Sequence, residues 1–253
     1  MTYRSLINTS DLEKFELLVK ETNILILFKQ NSLNNMWETS PDVDANNKLR
    51  TIAYNSLLDC RQQIENYIKS YPFFQKTYAP VRAEKNDSLI IKEMVKASSL
   101  VNVGPMAAVA GAIAEFVGKE LLKFCKEVIV ENGGDIFLKS DKKRRVGVYA
   151  GESPFSEKIA LEIAPETTPL GICSSSGTFG HSFSFGKADA ALAVAKSVAL
   201  ADVSATAIGN LIQTKEDLSR GIRFAKKIPG LSGILIIKED KIAIWGKIKI
   251  VNI

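Results

Sequence analysis

Histidine is almost absent from this sequence: His181 is the only one in 253 residues. Cysteine is sparse as well, with Cys60, Cys125 and Cys173 widely spaced and none in a CxxC pair. Structural zinc draws its ligands from clustered Cys and His, so this scarcity argues against it. An odd, scattered set of cysteines is no disulfide framework and fits a reducing compartment. Long apolar runs are lacking too. The most apolar stretch, Pro105 to Ala114, is bounded by Asn102 and Glu115, whereas a bilayer span needs roughly 20 apolar residues. The first thirty residues carry Arg4, Asp11, Glu13, Lys14, Glu16, Lys20 and Glu21, which is not the pattern of a signal peptide. A cytoplasmic protein with no membrane partner is the expectation. Without Pro/Ser-rich linkers, low-complexity tracts or sustained heptads, residues 1–253 read as a single domain, with room for two closely packed lobes.

Charge is nearly balanced, with 33 basic against 28 acidic residues and a net charge of +5. The one dense basic run, Lys142-Lys143-Arg144-Arg145, falls between two expected strands and reads as a solvated hairpin turn. A nucleic-acid surface would call for more basic residues with interleaved aromatics, so no nucleic-acid partner is expected.

What is present alternates between strand and helix patterns, an α/β (mixed α+β) reading. Residues 13–19 and 23–28 have strand composition around Glu21-Thr22. Residues 47–69 carry a helical stripe of Leu49, Ile52, Ala53, Leu57, Cys60, Ile64 and Ile68, ended by Tyr71-Pro72. A shorter helix is expected over 89–99. Another runs from Met106 to Phe124 with Pro105 at its start, and Cys125 ends it as a core residue. Strands are expected at 128–130, 136–138, 146–150 and 159–163. Residues 189–197 suit helix or strand. Thr214 with Asp217 forms a capping box opening a helix to about Lys227, and 234–237 with 242–245 form a terminal hairpin.

Three segments concentrate small and polar residues beyond what connectors need. The first, Asn102 to Gly111, holds Gly104, Met106 and Ala107 at a helix N-terminus. It suits close helix packing or the approach of an anionic ligand equally. The second is Glu131-Asn132-Gly133-Gly134-Asp135, a two-residue hairpin turn or a place where a cofactor lies against bare backbone. The third runs from Gly171 through Cys173-Ser174-Ser175-Ser176-Gly177 to His181, and Ala201 to Thr206 follows it. If 202 onward is helical, Asp202 and Thr206 share a face, and a carboxylate beside a hydroxyl suits Mg²⁺. Capping explains Asp202 as well. No G-x-S-x-G elbow is present, and a histidine-assisted reaction would have to use His181. Cys173 stands in what reads as a polar, Gly-flanked loop where its thiolate could be stabilised. It reads equally as a small residue closing a strand.

In this order, the segments 103–111, 130–135, 173–178, 180–190 and 201–210, with Tyr3-Arg4 and Lys20-Glu21-Thr22, resemble the ApbE-like superfamily of flavin transferases. More closely they resemble an uncharacterised archaeal and bacterial branch of it. The resemblance implies a two-lobed fold with mixed sheets flanked by helices and a cleft between the lobes. It implies Mg²⁺ held by Asp202, Thr206 and the carbonyl of Ala107. It further implies a small-molecule ligand, FAD or a related nucleotide, along Asn132 to Asp135 and Ser174 to Gly177, with Gly104 and Met106 nearby. Two departures stand out: Ala108 replaces the transferases' lysine, and His181 leads into Ser182-Phe183-Ser184-Phe185 rather than an Asp-Pro run. That loss of an acidic group argues against FMN transfer to a protein threonine. Two alternatives accompany a ligand-binding cleft. One is sulfur transfer by Cys173 assisted by His181, because the branch is associated with sulfur assimilation towards homocysteine. The other is a non-catalytic binding module, and a homodimer is the expected assembly.

Overall fold

The computed structural model describes residues 10–30, 45–178 and 185–253. Its centre is an eight-stranded sheet in the order β1-β2-β3-β4-β7-β8-β9-β10. These strands are β1 (Glu13–Val19), β2 (Thr22–Gln30), β3 (Cys125–Asn132), β4 (Asp135–Lys139), β7 (Leu170–Ser175), β8 (Ala190–Ala195), β9 (Leu231–Lys238) and β10 (Lys241–Gly246). A three-stranded sheet is formed by β5 (Arg144–Gly147), β6 (Ile159–Ile163) and β11 (Ile250–Asn252). Both sheets are antiparallel in every pairing rather than mixed. Tight turns join β1 to β2, β3 to β4 and β9 to β10, and two-residue hairpins can only join antiparallel strands.

Strand alternation divides the large sheet into two buried faces. Ile24, Ile26, Phe28, Val128, Val130, Phe137, Cys173, Ala193, Ile234 and Ile236 point into one core. Leu25, Leu27, Ile129, Ile136, Leu138, Ile172, Leu192, Leu235 and Ile237 point into the other, against Val146, Leu161 and Ile163 of the small sheet. Burial on both sides explains why Val128-Ile129-Val130 and Ile234 to Ile237 are continuous apolar runs. It also settles residues 189–197: Ala190–Ala195 is a fully buried strand, alanine-rich because helices lie close over it.

The helical layer covers the first face. It contains α1 (Ala45–Ser70), the short α2 (Phe73–Lys76), α3 (Leu89–Val101), α4 (Val109–Leu121), α5 (Val198–Asn210) and α6 (Leu218–Ala225). α4 packs over β3 and β4, and α5 over β7 and β8. The expected helix from Met106 is a 3₁₀ turn, Pro105–Ala108, followed by α4. Cys125 is buried as expected, but it opens β3 instead of closing the helix. Thr214 and Asp217 do form a capping box. Among the described residues no single helix is long and apolar enough to cross a membrane.

The basic run is a solvated turn only at Lys142 and Lys143. Arg144 lies in β5 and is only 4% exposed. Its Nη2 meets the buried Glu127 carboxylate at 2.8 Å, and its Nη1 meets Asp11 at 2.6 Å. Ser140 Oγ donates to Glu127 Oε2 and accepts from Arg144 Nε at 2.9 Å. This network draws the strand to begin at Arg144 instead of Val146. Lys143 and Arg145 remain exposed and face Glu162.

Candidate functional site

The turn between β3 and β4 places the first acidic group. Gly133 (φ +64°) and Gly134 (φ +102°) both take the left-handed conformations of a type I′ hairpin turn. Asn132 is therefore opposite Asp135, and Asp135 opposite Cys173 across β4 and β7. Directly opposed residues share a face, so all three side chains lie on the helical side of the sheet. Asn132 Nδ2 donates to the Ala110 carbonyl at 3.1 Å, tying the turn to the start of α4. The Gly134 N–H goes to the buried Glu131 at 2.8 Å.

The second acidic group comes from α5. Asp202 is 8% exposed, and its Oδ2 accepts the Gly111 N–H at 2.8 Å. A continuous α-helix would give that N–H to the carbonyl of Ala107, four residues back. The 3₁₀ turn before α4 and the Asp202 contact direct it to the carboxylate instead. Gly111 has to be glycine for this approach, because a Cβ there would stand 2.8 Å from both Asp202 Cβ and the Val198 carbonyl. Further along α4, Glu115 Oε2 accepts the Val198 N–H at 2.7 Å and caps the N-terminus of α5.

A cavity of about 340 Å³ opens where these elements meet. Gly104, Met106, Ala107, Asp135, Asp202 and Thr206 all line it, so the three residues expected to hold Mg²⁺ lie together. α5 turns a polar stripe towards it, Asp202, Thr206 and Asn210 at four-residue intervals in a helix whose one other polar side chain is Ser204. At its mouth the rings of Tyr78 and Phe185, both exposed, meet edge-on at 5.2 Å. Asp135 is 6% exposed, and its Oδ1 is buried without a hydrogen-bond partner. Burial, then the nearby Asp202 carboxylate, pushes the Asp135 carboxyl well above the usual range. Burial likewise raises Asp202, opposed by the Gly111 N–H. Among the described residues neither carboxylate has a Lys or Arg partner, and no three or more His, Cys, Asp or Glu side chains are grouped to hold a metal.

Other expected residues fall elsewhere. Asn132, Gly133, Gly134 and Ser174 to Gly177 do not line the cavity; Ser174 instead donates to the Gly134 carbonyl at 3.3 Å. Gly177 faces the Gly186 carbonyl, which a Cβ would strike, so close chain packing accounts for it; Gly104 lines the cavity and is likewise held close to the Thr77 carbonyl. Cys173 is not in a polar loop. It is fully buried within β7, its thiol 3.5 Å from the Val198 carbonyl. Burial, with the charges of Asp135 and Asp202, pushes that thiol well above its ordinary value, which disfavours the thiolate. His181 lies outside the described residues.

The family model described as AbpE bacteria matches residues 4–227. The chain belongs to this family. Its relatives include the UPF0280 protein of Methanococcus aeolicus, 41% identical over 206 residues, 79% of this chain and 83% of the relative. The UPF0280 protein of Methanocaldococcus jannaschii is 38% identical over 240 residues, 93% of this chain and 91% of the relative. Among solved structures, the flavin transferase ApbE of Vibrio cholerae superposes with a TM-score of 0.62 at 16% identity, covering 92% of this chain and 97% of that one. The apo flavinyl transferase ApbE of Pseudomonas stutzeri gives 0.57 at 11% identity, covering 94% and 95%. The fold is thus ApbE-like. Ala108 is completely buried.

Sequence reasoning missed Tyr78 and placed Phe185 and Asn210 only within the resembling segments, without a role. Asn210 was signalled by the four-residue spacing from Asp202 and Thr206. Tyr78 carries no such signal, because only the folded chain brings it to Phe185, more than a hundred residues away.

Proposed function

We propose that this protein binds a flavin- or nucleotide-type ligand together with Mg²⁺ in the cavity above Asp135 and Asp202. The observation that carries this reading is the meeting of Asp202, Thr206 and Ala107, a carboxylate, a hydroxyl and a backbone carbonyl, around one cavity. All are hard oxygen donors of the kind Mg²⁺ takes, and the orphaned Asp135 Oδ1 adds an uncompensated acceptor at the same place. When bound, Mg²⁺ would neutralise ligand phosphates and fix their position. Asp202 would be aimed by the Gly111 N–H, Thr206 and Ala107 would complete the oxygen set, and Asn210 would line the far end of the stripe. Tyr78 and Phe185 offer aromatic faces and edges for a planar ring at the mouth. The transferase names of the structural neighbours support a flavin as ligand, while the Ser182-Phe183-Ser184-Phe185 run points to binding without the usual transfer to threonine.

The test is flavin fluorescence and native mass spectrometry with FAD, FMN and AMP, with Mg²⁺ or with EDTA. At least one ligand should bind with Mg²⁺, weaken in EDTA, and be lost in Asp202→Ala. Failure of the unmodified chain to bind any of the three with Mg²⁺ present would overturn the reading.

A further inference from the structure

We propose that Asp135 is a second carboxylate ligand of the divalent cation, so that the cavity holds the ion through two acidic side chains from β4 and α5. This rests on the reading of the cavity as a Mg²⁺ site and goes beyond the Asp, Thr and carbonyl set that the resemblance implies.

The argument starts from cost. A buried carboxylate oxygen without a hydrogen bond forfeits its hydration and receives nothing in exchange. Asp135 Oδ1 is such an atom, and its residue lines the same cavity as Asp202, Thr206 and Ala107. The fold spends effort to place it there. The left-handed turn at Gly133-Gly134 puts Asp135 on the helical face, and the Gly134 N–H that might have capped it is given to Glu131. Two acidic groups share the cavity with no basic partner among the described residues, an arrangement that a divalent cation compensates charge for charge. Ligand charge count sets cation affinity. A site with two carboxylates therefore holds its ion before any phosphate arrives, whereas one carboxylate with neutral oxygens would lean on the ligand.

The experiment uses Mn²⁺ alone, followed by electron paramagnetic resonance of the free ion, on the full chain and on Asp135→Asn and Asp202→Asn. The unmodified protein should take up one Mn²⁺ without nucleotide. Asp135→Asn should weaken that binding by more than the roughly 10–100-fold that losing a mere supporting partner costs. Melting of the metal-free proteins supplies a second readout: Asp135→Asn removes an unpartnered buried carboxyl group, so its Tm should equal or exceed that of the unmodified chain. A lowered Tm together with unchanged Mn²⁺ affinity would mark Asp135 as structural and overturn the inference. If Asp135→Asn binds Mn²⁺ normally while Asp202→Asn does not, the inference fails and the Mg²⁺ reading stands. If the unmodified chain binds no Mn²⁺ alone but takes it up once FAD is added, the inference fails and the Mg²⁺ reading stands; no uptake with or without FAD overturns both. Asp135→Ser repeats the titration should the amide disturb folding.

Discussion

The N–H of Gly111 donates to Oδ2 of Asp202 at 2.8 Å, joining the first turn of α4 to the middle of the first half of α5. That single contact does two things. It satisfies an N–H that the helix start would leave open and aims a buried carboxylate. The closeness it needs is visible in the space at Gly111, where an added Cβ would fall within 2.8 Å of α5 atoms.

Gly111→Ala should therefore push α4 away from α5. Overpacking of this kind costs about 1–3 kcal/mol, read as a lower urea midpoint with an unchanged slope. The same variant should lose Mn²⁺ binding, because Asp202 loses its aiming donor. An alanine that leaves both stability and metal uptake intact would show the two helices to be free to separate at no cost.

Glu115 offers an independent measure of how the helices are joined. Its Oε2 accepts the Val198 N–H at 2.7 Å and lies 3.3 Å from Ser197 Oγ, while Lys119 Nζ meets Oε1 at 2.6 Å. The Lys119 ammonium is solvent-exposed and contributes little. The N-terminus of α5 is buried, so Glu115→Ala strands a backbone donor and should cost about 1–3 kcal/mol. Glu115→Gln keeps an acceptor in place and should recover most of it. Equal unfolding midpoints for the two variants would show that the cap contributes nothing.

Much of this arrangement can be read along the chain. The helix from 47 to 69 is recoverable because its apolar stripe is complete, and the Gly-Gly turn because few residues tolerate two consecutive positive φ values. Asp202 and Thr206 are legible as a pair because four-residue spacing on a helix is a local property. The rest depends on partners distant in sequence. Arg144 looks like part of an exposed basic run until Glu127, buried on β3, claims it. Cys173 looks loop-like because serines follow it, yet strand pairing on both sides with β4 and β8 buries it completely. Gly177 suggests ligand approach, but the atom that approaches it is the Gly186 carbonyl.

The burial of Cys173 has a chemical consequence. All three thiols are buried; Cys60 and Cys125 are pushed up to about 12 by burial, and Cys173 well above its ordinary value by burial and two carboxylates. Reaction with a disulfide reagent requires the thiolate and access. The native protein at neutral pH should therefore show no fast-reacting thiol, and all three should react once denaturant is added. A single rapid thiol in the folded state, mapped to Cys173 by peptide mass, would overturn this account of its environment.

The Arg144–Glu127 pair gives a prediction in pH. Burial alone would raise the Glu127 carboxyl, but the Ser140 hydroxyl and the Arg144 guanidinium outweigh it and hold the group below its ordinary 4.5. A carboxylate lowered on folding contributes stability above its unfolded value, and that contribution is lost as pH falls through the lowered folded value. Arg144→Met removes the guanidinium and leaves the Ser140 hydroxyl alone to oppose burial, so Glu127 is held down less than in the unmodified chain. The variant should lose about 3–5 kcal/mol at neutral pH, the cost of breaking a buried pair from one side. Its deficit should shrink as pH falls towards 5, so its stability rises less steeply with pH than that of the unmodified chain over the acid range. Glu127→Gln added to Arg144→Met should remove the unpaired carboxylate and recover part of the deficit at neutral pH. Urea unfolding of the three proteins between pH 4 and pH 8 checks this; parallel pH profiles for the single variant and the parent would show that Arg144 does not govern the Glu127 proton.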